Sequence, residues 1–335
     1  MASALGAFDP FYYYPLGNMC PVPPPVLGIE RINFGRCGPG VREVSCNQCC
    51  SKDGYYMSGP NYAGPPLCLS EYGLACDGTQ WPPGFNTSLA SRPILGSIPY
   101  GKRITSCTVE NTLALTFDDG PSKWTHGLLD VLKANDVKAT FFIRTFNLFS
   151  DLVYHTSHAT PAIIRRMYND GHQIAGHTWS HRNMDLMPPS ERRDEQIKAE
   201  IALTDILGFF PTYMRPPFNK CGLQCEADME KLGYHVASYD IDGKDWAGNY
   251  TYAEEYFLQQ IKRKNHQGVK AWLSLAHDTH ERTVHGYTQF MIDNARGHGY
   301  KLVTLGECLD DPEENWYRDP LTGGQLRNLP PKGSL

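Results

Sequence analysis

Five short segments carry side chains whose types suit acid–base or metal chemistry. Thr116-Phe117-Asp118-Asp119-Gly120-Pro121 places two adjacent carboxylates directly after an apolar run. At the carboxyl end of a strand such a pair can bind a cation or move a proton, although an Asp-Gly-Pro turn favours the same residues without any chemistry. His177-Thr178-Trp179-Ser180-His181 offers two imidazoles four residues apart. On one helical turn they share a face and can grip one metal ion, with an acid elsewhere as third ligand. In Arg215-Pro216-Pro217-Phe218 two prolines stiffen the backbone behind a guanidinium, which can keep a carboxylate ionised while a fixed main-chain N–H points at a developing oxyanion. Asp242-Gly243-Lys244-Asp245-Trp246 brings further acids, and Leu273-Ser274-Leu275-Ala276-His277-Asp278 ends an apolar run on a histidine. A histidine is the natural acid near neutral pH, and a neighbouring carboxylate raises its pKa.

Each segment alone reads equally well as a turn, a surface charge or a satisfied core histidine. Their placement changes that. Leu113–Phe117, Ala139–Ile143, Gln173–Ala175, Thr212–Arg215, His235–Tyr239, Ala271–Leu275 and Leu302–Leu305 read as strands. Amphipathic stretches at Thr125–Asn135, Pro161–Asn169, Ser190–Leu207, Glu226–Leu232, Ala253–Lys264 and Tyr287–Ala295 alternate with them, and Gly171 and Gly233 stand where helix stops are expected. Alternation of this kind gives an α/β architecture with a mostly parallel sheet, open or closed. All five segments then fall at successive strand ends, on one rim.

Composition sets outer bounds. With 31 basic and 36 acidic side chains the formal charge is -5, which leaves no basic field for a nucleic acid. No apolar run is long enough to span a membrane. The start, Met1-Ala2-Ser3-Ala4-Leu5, lacks a charged segment followed by an apolar one, so a signal peptide was either removed or never present. Seven of the 11 cysteines precede residue 100, among Pro- and Gly-rich sequence, with only Cys46 and Cys49 at Cys-x-x-Cys spacing. This favours disulfides and an oxidising compartment over a zinc knuckle. Asn86-Thr87-Ser88 and Asn249-Tyr250-Thr251 are glycosylation acceptors consistent with secretion. The division expected is a Cys/Pro/Gly-rich extension over 1–100, a catalytic domain over 101–312 and a tail over 313–335. Cys107 precedes the first catalytic strand and Cys308 follows the last, so a bridge between them would tie the domain's ends; Cys221 and Cys225 could close a small loop. Seven cysteines then remain for the extension, an odd number that leaves one unpaired or joined to another chain.

From residue 107 to about 309 the five segments, in this order, resemble the polysaccharide deacetylases that share the NodB homology domain, among them chitin, peptidoglycan and acetylxylan deacetylases. The resemblance implies a distorted (β/α)7 barrel. It implies Asp118 as catalytic base, with Asp119, His177 and His181 holding a divalent metal, zinc first and cobalt second. Arg215 would orient the base, and Phe218, where the family usually has Tyr, would supply an oxyanion N–H. His277 would be the catalytic acid, Asp245 would tune it, and Trp246 and Leu275 would receive the acetyl methyl. The expected partner is chitin or another acetylated polysaccharide.

Cys37-Gly38-Pro39, Cys46, Cys49-Cys50-Ser51 and Gly54-Tyr55 resemble a degenerate hevein-type chitin-binding module, in which Tyr55, Tyr56, Tyr62 and Tyr72 could stack on sugar rings. Tyr56 stands where that module has a cysteine. A disulfide-stapled extension with no binding role fits the same residues. Two other functions use part of the pattern. A non-haem iron oxygenase also needs two histidines and one carboxylate, but neither a second adjacent acid nor a strand-end histidine. A wall protein that binds chitin without catalysis would not need competent residues at every position.

Overall fold

A computed structural model describes residues 49–50, 56–57, 81–148, 159–326 and 328–335. The chain divides into two compact units, Met1–Thr79 and Gln80–Leu335. In the first, Cys49–Cys50 pairs antiparallel with Tyr56–Met57. Tyr55, Tyr62 and Tyr72 lie outside the described residues, as does the side chain of Tyr56, so the hevein-like reading finds no test here. The second unit starts upstream of residue 101, the expected start of the catalytic domain. Arg92 pairs with the buried Glu200 at 2.7 Å, and the Tyr100 ring stacks on His235 at 4.2 Å.

Among the described residues nine strands of the second unit form one sheet: β1 (Arg103–Ile104), β2 (Thr112–Asp118), β3 (Thr140–Ile143), β4 (Gln173–Gly176), β5 (Tyr213–Met214), β6 (His235–Ala237), β7 (Ile241–Asp242), β8 (Trp272–His277) and β9 (Lys301–Val303). Every pairing is parallel, in the order β7-β8-β2-β3-β4-β5-β6-β1, with β9 on the first half of β2. Helices α1 (Thr125–Ala134), α2 (Ala159–Asn169), α3 (Pro189–Leu207), α4 (Leu223–Lys231), α5 (Tyr250–Ile261) and α6 (Thr288–Gly297) alternate with the strands. Strands covered on both faces run mostly apolar without alternating, and β2, Thr-Leu-Ala-Leu-Thr-Phe-Asp, is buried at all 7 positions. Gly171 and Gly233, at φ 89° and 71°, take the left-handed conformation that ends α2 and α4, as their type allows.

The segment read as a strand over His235–Tyr239 is one only over His235–Ala237, β6, and a second short strand not read from sequence, β7, follows at Ile241–Asp242. β6 belongs to one end of the sheet and β7 to the other, so residues 238–240 carry the chain across the gap and the sheet curls on itself into a distorted barrel. Asp240 stitches the crossing, taking the Leu273 N–H at 2.7 Å and the Ser106 hydroxyl. Edge strand β1 is too short to be read by periodicity. No helix of the described residues is long and apolar enough to cross a membrane.

Among the described residues two disulfides join described partners, Cys107–Cys308 and Cys221–Cys225. The first spans 201 residues and ties the segment before β2 to the short turn after β9, where Thr108 and Val109 N–H groups also donate to the Cys308 carbonyl at 3.0 Å. Opening so long a loop should cost about 3–5 kcal/mol of stability, because the unfolded chain regains its freedom. In urea titrations the double variant Cys107→Ser/Cys308→Ser is expected to unfold earlier by that amount, against less for Cys221→Ser/Cys225→Ser; equal midpoints would contradict the account.

Candidate active site

Parallel register brings the strand ends together. His277 lies directly opposite Asp118 on the neighbouring strand, so the last residues of β8 and β2 face one opening. Beyond β4 and β5 come His177 and Arg215. A cavity of about 470 Å³ results, lined by Asp118, Asp119, His177, His181, Arg215, Phe218, Trp246, Leu275 and His277, together with Pro216, Asn219, Tyr239 and Asp242.

On one side Arg215, fully buried, donates from Nη1 to Asp118 Oδ1 and to Thr116 Oγ1, both at 2.7 Å, and from Nη2 to the Ser238 carbonyl at 2.6 Å. Its guanidinium also lies over the Phe142 ring at 4.0 Å. A buried carboxylate needs such a partner, since an unpaired one would cost several kcal/mol. Asp118 Oδ1 is thereby committed, and Oδ2 stands 3.9 Å from His177 Nε2.

Next to it Asp119, held at φ 74°, turns Oδ1 to within 3.3 Å of His177 Nε2 and 3.0 Å of His181 Nε2. The three ligand atoms lie within 4.8 Å of one another. His177 Nδ1 sits 2.7 Å from the Arg215 carbonyl, to which it can only donate, so a neutral His177 presents the Nε2 lone pair to the cavity. Burial holds the His181 pKa below its ordinary value even against the Asp119 bond, which favours the neutral, ligating form. Burial would raise Asp119, but the bonds and charges of the two histidines outweigh it and keep the acid well below the carboxylate range. Two imidazole nitrogens and one carboxylate oxygen, once the Nε2 protons are displaced, are the donor set of an open zinc site, so these residues fit a divalent cation.

On the far wall His277 Nδ1 meets Asp245 Oδ1 at 2.8 Å, and Asp245 Oδ2 accepts the His277 N–H and the Thr283 hydroxyl, each at 2.8 Å. Tyr250 OH backs Thr283 Oγ1 at 2.9 Å. Burial would lower the His277 pKa; the bond to Asp245 and its charge, with the fields of Asp118 and Asp119, override this and push it up to about 9. Leu275 is buried in the cavity wall, while Trp246 is 55% exposed at the rim. Phe218 adopts φ 56°, its ring 63% exposed and 4.7 Å from that of His181.

All the catalytic and metal-site candidates, with Trp246 and Leu275, are thus collected in one place. Thr116, Asn219, Tyr239 and Thr283 also belong to it and were not singled out by sequence. Thr283 is 38 residues from the acid it bonds, and no local pattern marks it.

The family described as polysaccharide deacetylase matches residues 105–237. The chain is 39% identical over 225 residues to a chitin deacetylase of Colletotrichum lindemuthianum, covering 66% of this chain and 88% of that protein. It is also 39% identical over 222 residues to a chitin deacetylase of Pestalotiopsis sp, with 66% and 72% covered. The solved structure of the Colletotrichum lindemuthianum chitin deacetylase matches with a TM-score of 0.62 at 38% identity, over 66% of this chain and 97% of that one.

The His277–Asp245 pair has a pH signature. A histidine raised from 6.5 to about 9 contributes stability that is complete below pH 6.5 and lost as pH rises through about 9. In Asp245→Asn burial is left to dominate, so the His277 imidazole, followed by NMR in the metal-free protein, should titrate at or below 6.5. A midpoint still near 9 would assign the shift to other charges.

Proposed function

The chain belongs to the polysaccharide deacetylase family, and on that footing we propose that it removes N-acetyl groups from the N-acetylglucosamine units of chitin or chitooligosaccharides, with a divalent metal. One observation carries the reading: a trio of cation donors, a carboxylate clamped by arginine and a carboxylate-backed histidine share one cavity. Chitin as polymer is supported by the two relatives named as chitin deacetylases.

Asp119, His177 and His181 would hold the ion, zinc before cobalt on donor type, which when bound would lower the pKa of a coordinated water and polarise the acyl oxygen. Asp118 accepts the proton of the attacking water through Oδ2, the oxygen that Arg215 leaves free. Arg215 keeps it ionised and aimed. Phe218, held left-handed behind two prolines, donates its main-chain N–H to the developing oxyanion. His277 gives its proton to the nitrogen as the C–N bond breaks, so acetate and a free amine leave. Asp245 keeps that proton in place at neutral and mildly alkaline pH. Leu275 and Trp246 border the methyl group. Residues 101–312 carry this chemistry. Secretion to a wall or extracellular polymer is supported by the two disulfides, which persist in oxidising compartments.

The test is acetate release, side by side, from N-acetylglucosamine oligomers, acetylated xylan and peptidoglycan fragments. The first should dominate, vanish with a chelator and return with zinc; release unaffected by chelation would refute the metal assignment, and preference for another polymer would refute chitin. Asp118→Asn should lower kcat by about 10²–10⁴-fold with oligomer binding retained. His277→Ala should harm N-acetyl cleavage more than O-acetyl cleavage, because an amine leaves poorly unless protonated. Equal losses on both would remove His277 as the acid.

A further inference from the structure

The loop that carries both histidines is conformationally expensive. Thr178 and His181 sit at φ 63° and 60°, left-handed positions that cost non-glycine residues about 1 kcal/mol or more each. Some of the restraint comes from β3's continuation, where the Phe146 N–H donates to the Trp179 carbonyl at 3.0 Å. A second restraint comes from α3. Glu195, buried in the middle of that helix, accepts the Ser180 N–H at 2.7 Å and the Ser180 hydroxyl at 2.6 Å, one on each carboxylate oxygen. Ser180 immediately precedes His181, whose own N–H turns back to Thr178 Oγ1 at 3.1 Å.

We propose that Glu195 is a positioning residue for the cation site: by bonding the backbone and side chain of Ser180 it fixes the left-handed turn that sets His181 Nε2 opposite Asp119. The proposal rests on the reading of Asp119, His177 and His181 as ligands. Glu195 touches neither ligand nor substrate. Both bonds go to the one residue between Trp179 and His181, while the charges of Arg182 and Lys198 also act on the carboxylate. The bidentate geometry fixes orientation as well as distance, which a single hydrogen bond would not. Partners one step removed from a metal commonly set affinity by about 10–100-fold.

The experiment measures zinc affinity of the full chain by competition with a chromophoric chelator, alongside thermal midpoint. Wild type should bind one equivalent; if it binds none, the ligand reading itself fails, independently of Glu195. Glu195→Ala should weaken zinc about tenfold or more, with acetate release recovered by excess zinc. Glu195→Gln should restore affinity to within about threefold, because its amide oxygen can accept the Ser180 N–H and its NH₂ can donate to the hydroxyl. Glu200 is the control: an equally buried acid of the same helix, bonded to Arg92 and Tyr234 away from the cavity. Glu200→Ala should lower the thermal midpoint and leave zinc affinity unchanged. A folded Glu195→Ala with wild-type affinity, or a Glu200→Ala that loses as much, overturns the proposal. If Glu195→Ala does not fold, Ser180→Ala decides: it deletes one of the two bonds and should weaken zinc severalfold, and unchanged affinity there overturns the proposal.

Discussion

Burying several carboxylates in one small cavity is the constraint around which the second unit is organised. Each ionised acid must meet a cation or enough donors to replace its hydration. Asp118 meets Arg215, Asp119 meets two imidazoles, and Asp245 meets His277, Thr283 and the Trp246 N–H. Burial would raise Asp119 and Asp245, yet these partners hold both below the ordinary carboxylate value. Two nearby acids show the alternative. Asp240 and Asp278 accept hydroxyl or backbone donors but touch no cation, and burial pushes both up to about 7. The same residue type thus serves as anion or near-neutral hydrogen-bonding group according to what stands beside it.

The sheet supplies those neighbours. In a parallel sheet every strand ends on the same side, and register fixes which ends touch. The pairing of β2 with β8 sets Asp118 against His277, so a carboxylate and an imidazole are adjacent across strands. Arg215 reaches back from the end of β5 across two strands to Asp118, and its carbonyl orients His177 at the end of β4. One residue therefore acts with both its ends, one on the Asp118 carboxylate and one on the His177 imidazole. A slip of one residue in either strand would separate them.

What sequence makes legible is what obeys a period or stands at a boundary. The seven strand segments and the five strand-end motifs were of this kind, since a buried run followed by a cluster of charged residues is visible locally. The interruption of β6 and β7 was not, because Ser238-Tyr239-Asp240 continues an alternating pattern and only the closing of the sheet breaks it. α3 hides more. Its buried residues include Arg192, Glu195, Lys198 and Glu200, which a helical pattern assigns to water. Their partners lie far along the chain: Asp228 for Arg192, Ser180 for Glu195, and Arg92 and Tyr234 for Glu200. Polar residues that are buried by mutual pairing leave no trace in one-dimensional periodicity.

The arrangement also explains how Asp118 and His277 can coexist. Asp118 and His277 are adjacent in the sheet, and a direct ion pair between them would quench both. Each is instead claimed from behind, Asp118 by Arg215 and His277 by Asp245, so their remaining faces open on the cavity. In and behind that cavity Asp118, Asp119, Asp242 and Asp245 outnumber the full cations Arg215 and His277, an imbalance that attracts a divalent ion to the trio of donors beside Asp118. Once such an ion is present the negative excess is offset, which suits charge developing on an acyl oxygen. The excess of buried acids is therefore not a defect in the packing. It is the electrostatic half of a site completed by a cation.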